Sequence, residues 1–94
     1  MAMEITFDAL KRARTLEERQ LDFADAADVF AGEHFDVPDA RRDYGEARIL
    51  TFGPLSGRLV AMVWTQRGRA RRIISMRHAN ERERALYKIS VDRP

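Results

Sequence analysis

The stretch Leu59-Val-Ala-Met-Val-Trp64 is an unbroken apolar run. A strand with one wet face alternates, so a run without alternation fits a central strand covered on both sides. Turn residues bracket it: Gly53-Pro-Leu-Ser-Gly57 before it and Gln66-Arg-Gly-Arg69 after it. The chain therefore doubles back at both ends. Strand 58–65 gains antiparallel neighbours at 46–52 and 70–77, because short connections join only antiparallel strands.

The second hairpin can be read residue by residue. With Arg67-Gly68 as the two-residue loop, Gln66 faces Arg69, Trp64 faces Arg71, Val63 faces Arg72 and Met62 faces Ile73. Trp64 beside Arg71 makes a cation–π contact. Strict alternation puts Arg71, Ile73, Ser75 and Arg77 on the face of Trp64, and Arg72, Ile74 and Met76 on the other.

Upstream, residues 3–7 alternate weakly and fit a short edge strand or an extended arm. Asp8 is an N-cap for a helix over 9–20, with Leu10, Ala13 and Leu16 on one side. Leu21 and Asp22 are staple and cap for a second helix over 23–31. There Phe23, Ala26, Ala27 and Phe30 fall at i, i+3, i+4 and i+7, and Gly32 ends it. His34–Val37 is a short strand stopped by Pro38, and 39–45 is a polar loop carrying Arg41, Arg42 and Asp43. After the last strand, Asn80 and Glu83 have the spacing of a capping box, which opens a helix over 80–88. Leu86 and Tyr87 dock that helix on the sheet, and the tail from Ser90 frays. The expected fold class is α+β: two N-terminal helices, a four-stranded antiparallel meander sheet and a C-terminal helix. Helices at the two ends of the chain must cover the sheet.

Ninety-four residues, 45% hydrophobic and 34% charged, bound this to one globular domain over 1–94. The absence of cysteine excludes disulfides and thiolate metal sites. Two lone histidines, His34 and His78, argue against zinc, and no cofactor is implied. No apolar run reaches membrane-span length and the N-terminus lacks a signal pattern, so the expectation is a soluble, cytoplasmic protein without a membrane partner.

The net charge of +2 conceals two unlike halves. Residues 1–45 hold 6 basic and 11 acidic side chains, net −5, and residues 46–94 hold 11 and 4, net +7. Among 17 basic residues only Lys11 and Lys88 are lysine. Arginine grips phosphate with a fork that lysine lacks; codon bias in a GC-rich genome gives the same composition. The basic half is densest from Arg69 to Tyr87, with Arg69, Arg71, Arg72, Arg77, Arg82 and Arg84 against Glu81 and Glu83. A basic strand turning a corner into a capped basic helix suits a phosphate-binding surface.

These residues, with others, resemble the BrnT family of bacterial toxins. The resemblance is carried by Phe7-Asp8, Phe23-x-x-Ala-Ala-x-Val-Phe30 and Asp43-Tyr-Gly-Glu-x-Arg48. It continues through Gly57-Arg-Leu-Val, Val63-Trp-Thr-x-Arg-Gly68, and Arg72-Ile-Ile-Ser-Met-Arg-x-Ala-Asn-Glu-Arg-Glu83 to Tyr87, covering roughly residues 6–88. It implies a small RelE-like ribonuclease toxin of a type II toxin–antitoxin system. It also implies neutralisation by a BrnA-like antitoxin of ribbon-helix-helix type, which alone contacts operator DNA. The first helix departs from the family pattern at Thr15, Glu18 and Arg19, where an Asn and a Lys-His pair are usual.

RNA cleavage of this kind is an in-line attack of a 2′-OH on the adjacent phosphate, needing a base, an acid and nearby cations. Arginines can supply the charge without a metal. The expected catalytic set is Arg77, Arg72, Glu46 as base, Arg48 and Tyr87, with Arg71, Arg82 and Arg84 binding RNA phosphates. Each has a plainer alternative. Arg72 and Arg77 also read as solvated strand arginines or antitoxin contacts, Glu46 as an arginine's ion-pair partner, Glu83 as a cap, and Tyr87 and Trp64 as core. Arg82 and Arg84 also fit a solvated helix face. At the level of the whole chain, a catalytically weak module that binds antitoxin or nucleic acid competes with the nuclease.

Overall fold

A computed structural model of the chain describes residues 3–41 and 43–92. Arg42, expected in the polar loop, and Arg93 and Pro94, expected in the tail, lie outside the described residues. The elements are β1 (Glu4–Phe7), α1 (Ala9–Arg19), a 3-10 turn (Phe23–Asp25) and α2 (Ala26–Ala31). They are followed by β2 (Phe35–Pro38), β3 (Ile49–Leu55), β4 (Arg58–Arg67), β5 (Ala70–His78) and α3 (Glu81–Val91).

The fold is α+β, and the sheet has five strands rather than the expected four-stranded antiparallel meander. Its order is β1-β5-β4-β3-β2, with β4 central as its apolar run requires. The meander β2–β5 is antiparallel, and β1 adds to β5 in parallel, Ile5 beside Arg71 and Phe7 beside Ile73. The helices between β1 and β2 carry the chain from one edge of the sheet to the other. Local sequence could not show β1's partner, because that pairing spans more than sixty residues of chain.

Local signals set the element ends. The Asp8 carboxylate accepts from the N–H groups of Leu10 and Lys11, closing the start of α1. Asp22 accepts from Ala24 N–H, but the expected helix 23–31 divides into the 3-10 turn and a short α2. Asn80 and Glu83 form the reciprocal capping box of α3. α3 continues through Ser90 to Val91, past the expected end at 88. Ser56-Gly57 turns β3 into β4 with φ of 50° and 81°, the twist a two-residue hairpin favours.

The second hairpin corrects the expected register. Arg67 pairs with Ala70, so the loop is Gly68-Arg69, with Gly68 at φ 59°. Gln66 then faces Arg71 and Thr65 faces Arg72. The loop moves by one residue and the pairing by two, and a glycine at the first loop position explains it: a type II′ turn wants positive φ there.

α2 and the 3-10 turn cover one face of the sheet. Phe23, Ala26, Val29 and Phe30 pack on Val60, Met62, Trp64, Ile73 and Met76. α2 approaches β3 so closely that a Cβ on Gly53 would meet the Val29 side chain at 2.9 Å. The Trp64 indole N–H donates to Thr51 Oγ1 (2.7 Å), whose hydroxyl donates to Asp36 (2.6 Å). Trp64 is thus a satisfied core residue. α1 buries none of its side chains; Leu10 is 78% exposed and Leu16 44%. Instead Arg12 pairs with Asp22, and Arg19 donates to the Met76 carbonyl. Among the described residues no helix is long and apolar enough to cross a membrane.

Candidate nucleic-acid interface

The second face of the sheet is shared between apolar side chains, among them Leu50, Phe52, Ala61 and Val63, and arginines, and a β-bulge decides which arginines reach it. Trp64 pairs with Ile73 while its neighbour Val63 pairs with Ser75, so Ile74 is an extra residue on β5. A bulge breaks alternation and re-aims the side chains beyond it. Before it, Arg71 and Ile73 share the helix-covered face with Trp64. After it, Met76 and His78 turn to that face, opposite Met62 and Val60. Arg72, Ser75 and Arg77 are left together on the face that α2 does not cover, the more open one, where Thr65, Val63 and Ala61 are nonetheless buried beneath them. The expected grouping of Ser75 and Arg77 with Arg71 is therefore wrong. Along the strand Arg72 and Arg77 stand roughly 13 Å apart.

Around Arg77 the open face sinks into a pocket of about 220 Å³. Leu50, Ala61 and Val63 form its floor, and Ser75, Arg77, Glu83 and Arg41 stand round it. Arg77 gives both Nη groups to the Glu83 carboxylate, at 2.7 and 2.8 Å. Hydrogen bonds from Arg77 hold Glu83 below the ordinary carboxylate range, and the same contact raises Arg77. Glu83 also accepts from Asn80 N–H, so one carboxylate caps α3 and holds the strand arginine. Arg41 reaches the pocket from the loop after β2. There the Asp39 carboxylate, 1% exposed, takes Nε and an Nη of Arg41 at 2.8 and 2.9 Å. Hydrogen bonding from Arg41 pushes Asp39 down.

The far end of the same loop holds a second group. Arg48 lies 3.9 Å from the centre of the Tyr44 ring, and its carbonyl accepts from Asp39 N–H. Glu46 accepts from Arg67 at 2.9 Å and from Arg48 at 3.4 Å. Thr65 Oγ1 ties this end to the open face by donating to the Ala47 carbonyl.

The remaining expected residues fall elsewhere. Arg71 lies over Phe30 (4.4 Å) and Trp64 (4.7 Å), so the anticipated cation–π contact forms in spite of the shifted register. It does so on the helix side, away from Arg72 and Arg77. Tyr87 stacks on Phe35, and its hydroxyl donates to the Glu33 carbonyl at 2.6 Å. Burial raises its pKa. Its hydroxyl is thus committed to backbone, outside the lining of the Arg77 pocket. Arg84 donates to the Ala79 carbonyl. Arg82 borders an apolar groove of about 550 Å³ between α3 and β2–β3, where Leu86 and Ile89 are 51% and 66% exposed. Leu86 therefore borders that groove rather than docking tightly. Thr15, Glu18 and Arg19 sit on α1, whose Arg19 lines a different cleft with Leu21 and His78.

Sequence reasoning missed Arg41. The only signal was Asp39-x-Arg41 in a polar loop, a spacing that lets an arginine fold back on a carboxylate but does not say what it faces. Among the described residues no three His, Cys, Asp or Glu side chains cluster as a metal site requires. No curated protein matches the chain. A family model does: the one described as Ribonuclease toxin, BrnT, of type II toxin-antitoxin system matches residues 7–83.

Proposed function

Because the chain belongs to the BrnT family of ribonuclease toxins from type II toxin–antitoxin systems, we propose that it is a metal-independent endoribonuclease. It cleaves messenger RNA on the open face of its sheet, stops translation and is neutralised by a BrnA-like antitoxin. The observation that carries this reading is the shared face of Arg72, Ser75 and Arg77, walled by Arg41 and α3.

The chemistry is an in-line displacement. The 2′-oxygen forms a bond to the adjacent phosphorus while the bond to the 5′-oxygen breaks. The products are a 2′,3′-cyclic phosphate and a 5′-hydroxyl. The 2′-OH proton goes to a base, and the leaving oxygen takes up a proton. Charge builds on the non-bridging oxygens, where Arg77 and Arg72 act as donors in place of a metal. Asp39 and Glu83 are each held in two-pronged arginine pairs, which makes them poor proton acceptors. Glu46 is held more loosely, by a 3.4 Å contact and by an arginine that is 55% exposed. We therefore assign Glu46 as the base, with Arg48 beside it. The departures at Thr15, Glu18 and Arg19 lie on α1, away from the pocket lining, and leave this arrangement intact.

A type II toxin has an antitoxin partner, and an acidic antitoxin segment would compete with RNA for the same arginines. The purified chain, given RNA, should yield fragments with cyclic-phosphate ends. Arg77→Ala should lower that rate about 100-fold, the order for removing one donor to a developing oxyanion, while circular dichroism stays unchanged. Full activity in the folded variant removes Arg77 from the mechanism; no cleavage by the wild type removes the nuclease reading. RNA affinity should fall steeply between low and moderate salt if arginine–phosphate contact is the main attraction.

A further inference from the structure

Arg41 and Arg77 both line the small pocket over Ala61, one from a loop and one from the sheet. Each is held from behind by a carboxylate that solvent barely reaches, Asp39 at 1% and Glu83 at 16% exposure. A guanidinium carries more N–H donors than one carboxylate can occupy, so both keep donors to spare. Their positive charges oppose each other: Arg41 works against the rise in Arg77's pKa. The Ser75 hydroxyl, on the pocket wall, has no hydrogen-bond partner among the described residues. The floor is apolar, which strengthens charge-assisted hydrogen bonds made above it. At about 220 Å³ the pocket is smaller than the roughly 300–1,000 Å³ of a site for a drug-sized ligand. An anion between the guanidinium groups would turn their repulsion into two attractions.

We propose that Arg41, from the loop, and Arg77, from the sheet, bind one and the same phosphodiester of single-stranded RNA, with the Ser75 hydroxyl as a further donor. This deepens the nuclease reading and rests on it for the identity of the ligand. Asp39 and Glu83 serve as positioning residues that aim the two forks. The loop after β2 thereby becomes part of the substrate site, and the phosphate seated there is the one at which Arg77 acts in cleavage.

The test is a cycle of variants with a 2′-O-methyl oligoribonucleotide, which binds but has no 2′-OH to attack. Wild type, Arg41→Gln, Arg77→Gln and the double variant are titrated by fluorescence anisotropy over a range of salt. Each single variant should bind about 10-fold more weakly, the scale of one charge-assisted contact. Neither should much flatten the plot of log affinity against log salt, because the remaining guanidinium still neutralises the shared phosphate. The double variant should flatten it by about 0.7, the loss of one phosphate contact on a single strand. Arg41→Lys, which keeps the charge without the fork, should fall between wild type and Arg41→Gln. Thermal melting confirms that each variant is folded.

Single variants that each flatten the plot by about 0.7, adding up in the double variant, overturn the shared phosphate, as does an Arg41→Gln variant that binds like wild type. If the expected pattern appears but the wild type cleaves no RNA, the pocket stands and the nuclease reading falls. If the wild type cleaves RNA and Arg41→Gln changes neither affinity nor slope, the reverse holds. Failure of the wild type to bind the oligonucleotide overturns both.

Discussion

The two faces of the sheet use the same residue type in opposite ways. On the helix-covered face Arg71 lies over the rings of Phe30 and Trp64, and the aromatic surface takes up its charge. On the open face Arg77 and Arg41 are each gripped by a carboxylate from behind. The first arrangement makes the guanidinium a lid on the core. The second fixes its plane while leaving donors for an incoming ligand. Arginine count alone therefore says little; what stands behind each guanidinium decides what it is free to do.

The contrast can be broken first by volume. Phe23 is 1% exposed in the core, and Phe23→Ala should cost about 3–5 kcal/mol of stability by leaving a cavity. Ser75→Ala on the open face should change stability by less than about 0.5 kcal/mol, yet weaken RNA binding several-fold. Urea denaturation and oligonucleotide titration read the two effects.

Adjacent arginines give a sharper version. Arg72→Ala should lower RNA cleavage by roughly 100-fold, as expected for a donor to the reacting phosphate, with little loss of stability. Arg71→Ala should do the converse: about 1 kcal/mol of stability lost with the cation–π contacts, and unchanged cleavage per folded molecule. Equal effects on cleavage would mean that the bulge does not separate their roles.

A smaller effect comes from charge. Asp22, Asp39 and Glu83 have folded pKa values below their ordinary 3.8, 3.8 and 4.5, held down chiefly by hydrogen bonds from Arg12, Arg41 and Arg77 respectively. A carboxyl with a depressed folded pKa stabilises the fold fully above its unfolded pKa. That contribution disappears as pH falls through the folded value. Stability from these pairs should therefore be level above about pH 5 and decline below about pH 4.5. Glu83→Gln should remove part of that acid-side slope in urea denaturation, and should weaken RNA binding by freeing Arg77 to wander. A slope identical to wild type would mean that Glu83 adds nothing to the fold.

Much of the architecture was written locally. Asp8, Asp22 and the Asn80–Glu83 pair cap where short-range hydrogen bonding demands, since a cap needs only its own next few residues. The apolar run 59–64 is the central strand because nothing but burial on both faces suits it. Partners far along the chain were not legible in this way. β1, read as an edge strand or an arm, pairs with β5, Leu21, read as a staple, joins the core, and Tyr87 spends its hydroxyl on the Glu33 carbonyl. The site followed the same division: Arg77 and Arg72 stood out by composition, whereas Arg41 did not.

The sequence by itself determined the element types, most of their ends, and an arginine-rich final strand, because capping, turn chemistry and apolar periodicity act over a few residues. The direction in which those arginines point came from long-range pairing instead. One extra residue at Ile74 reverses the alternation of β5 midway, and pairing across the sheet, not the strand's own pattern, is what accommodates it. That is why Arg72 and Arg77 share the open face while Arg71, next to Arg72 in the chain, closes the core.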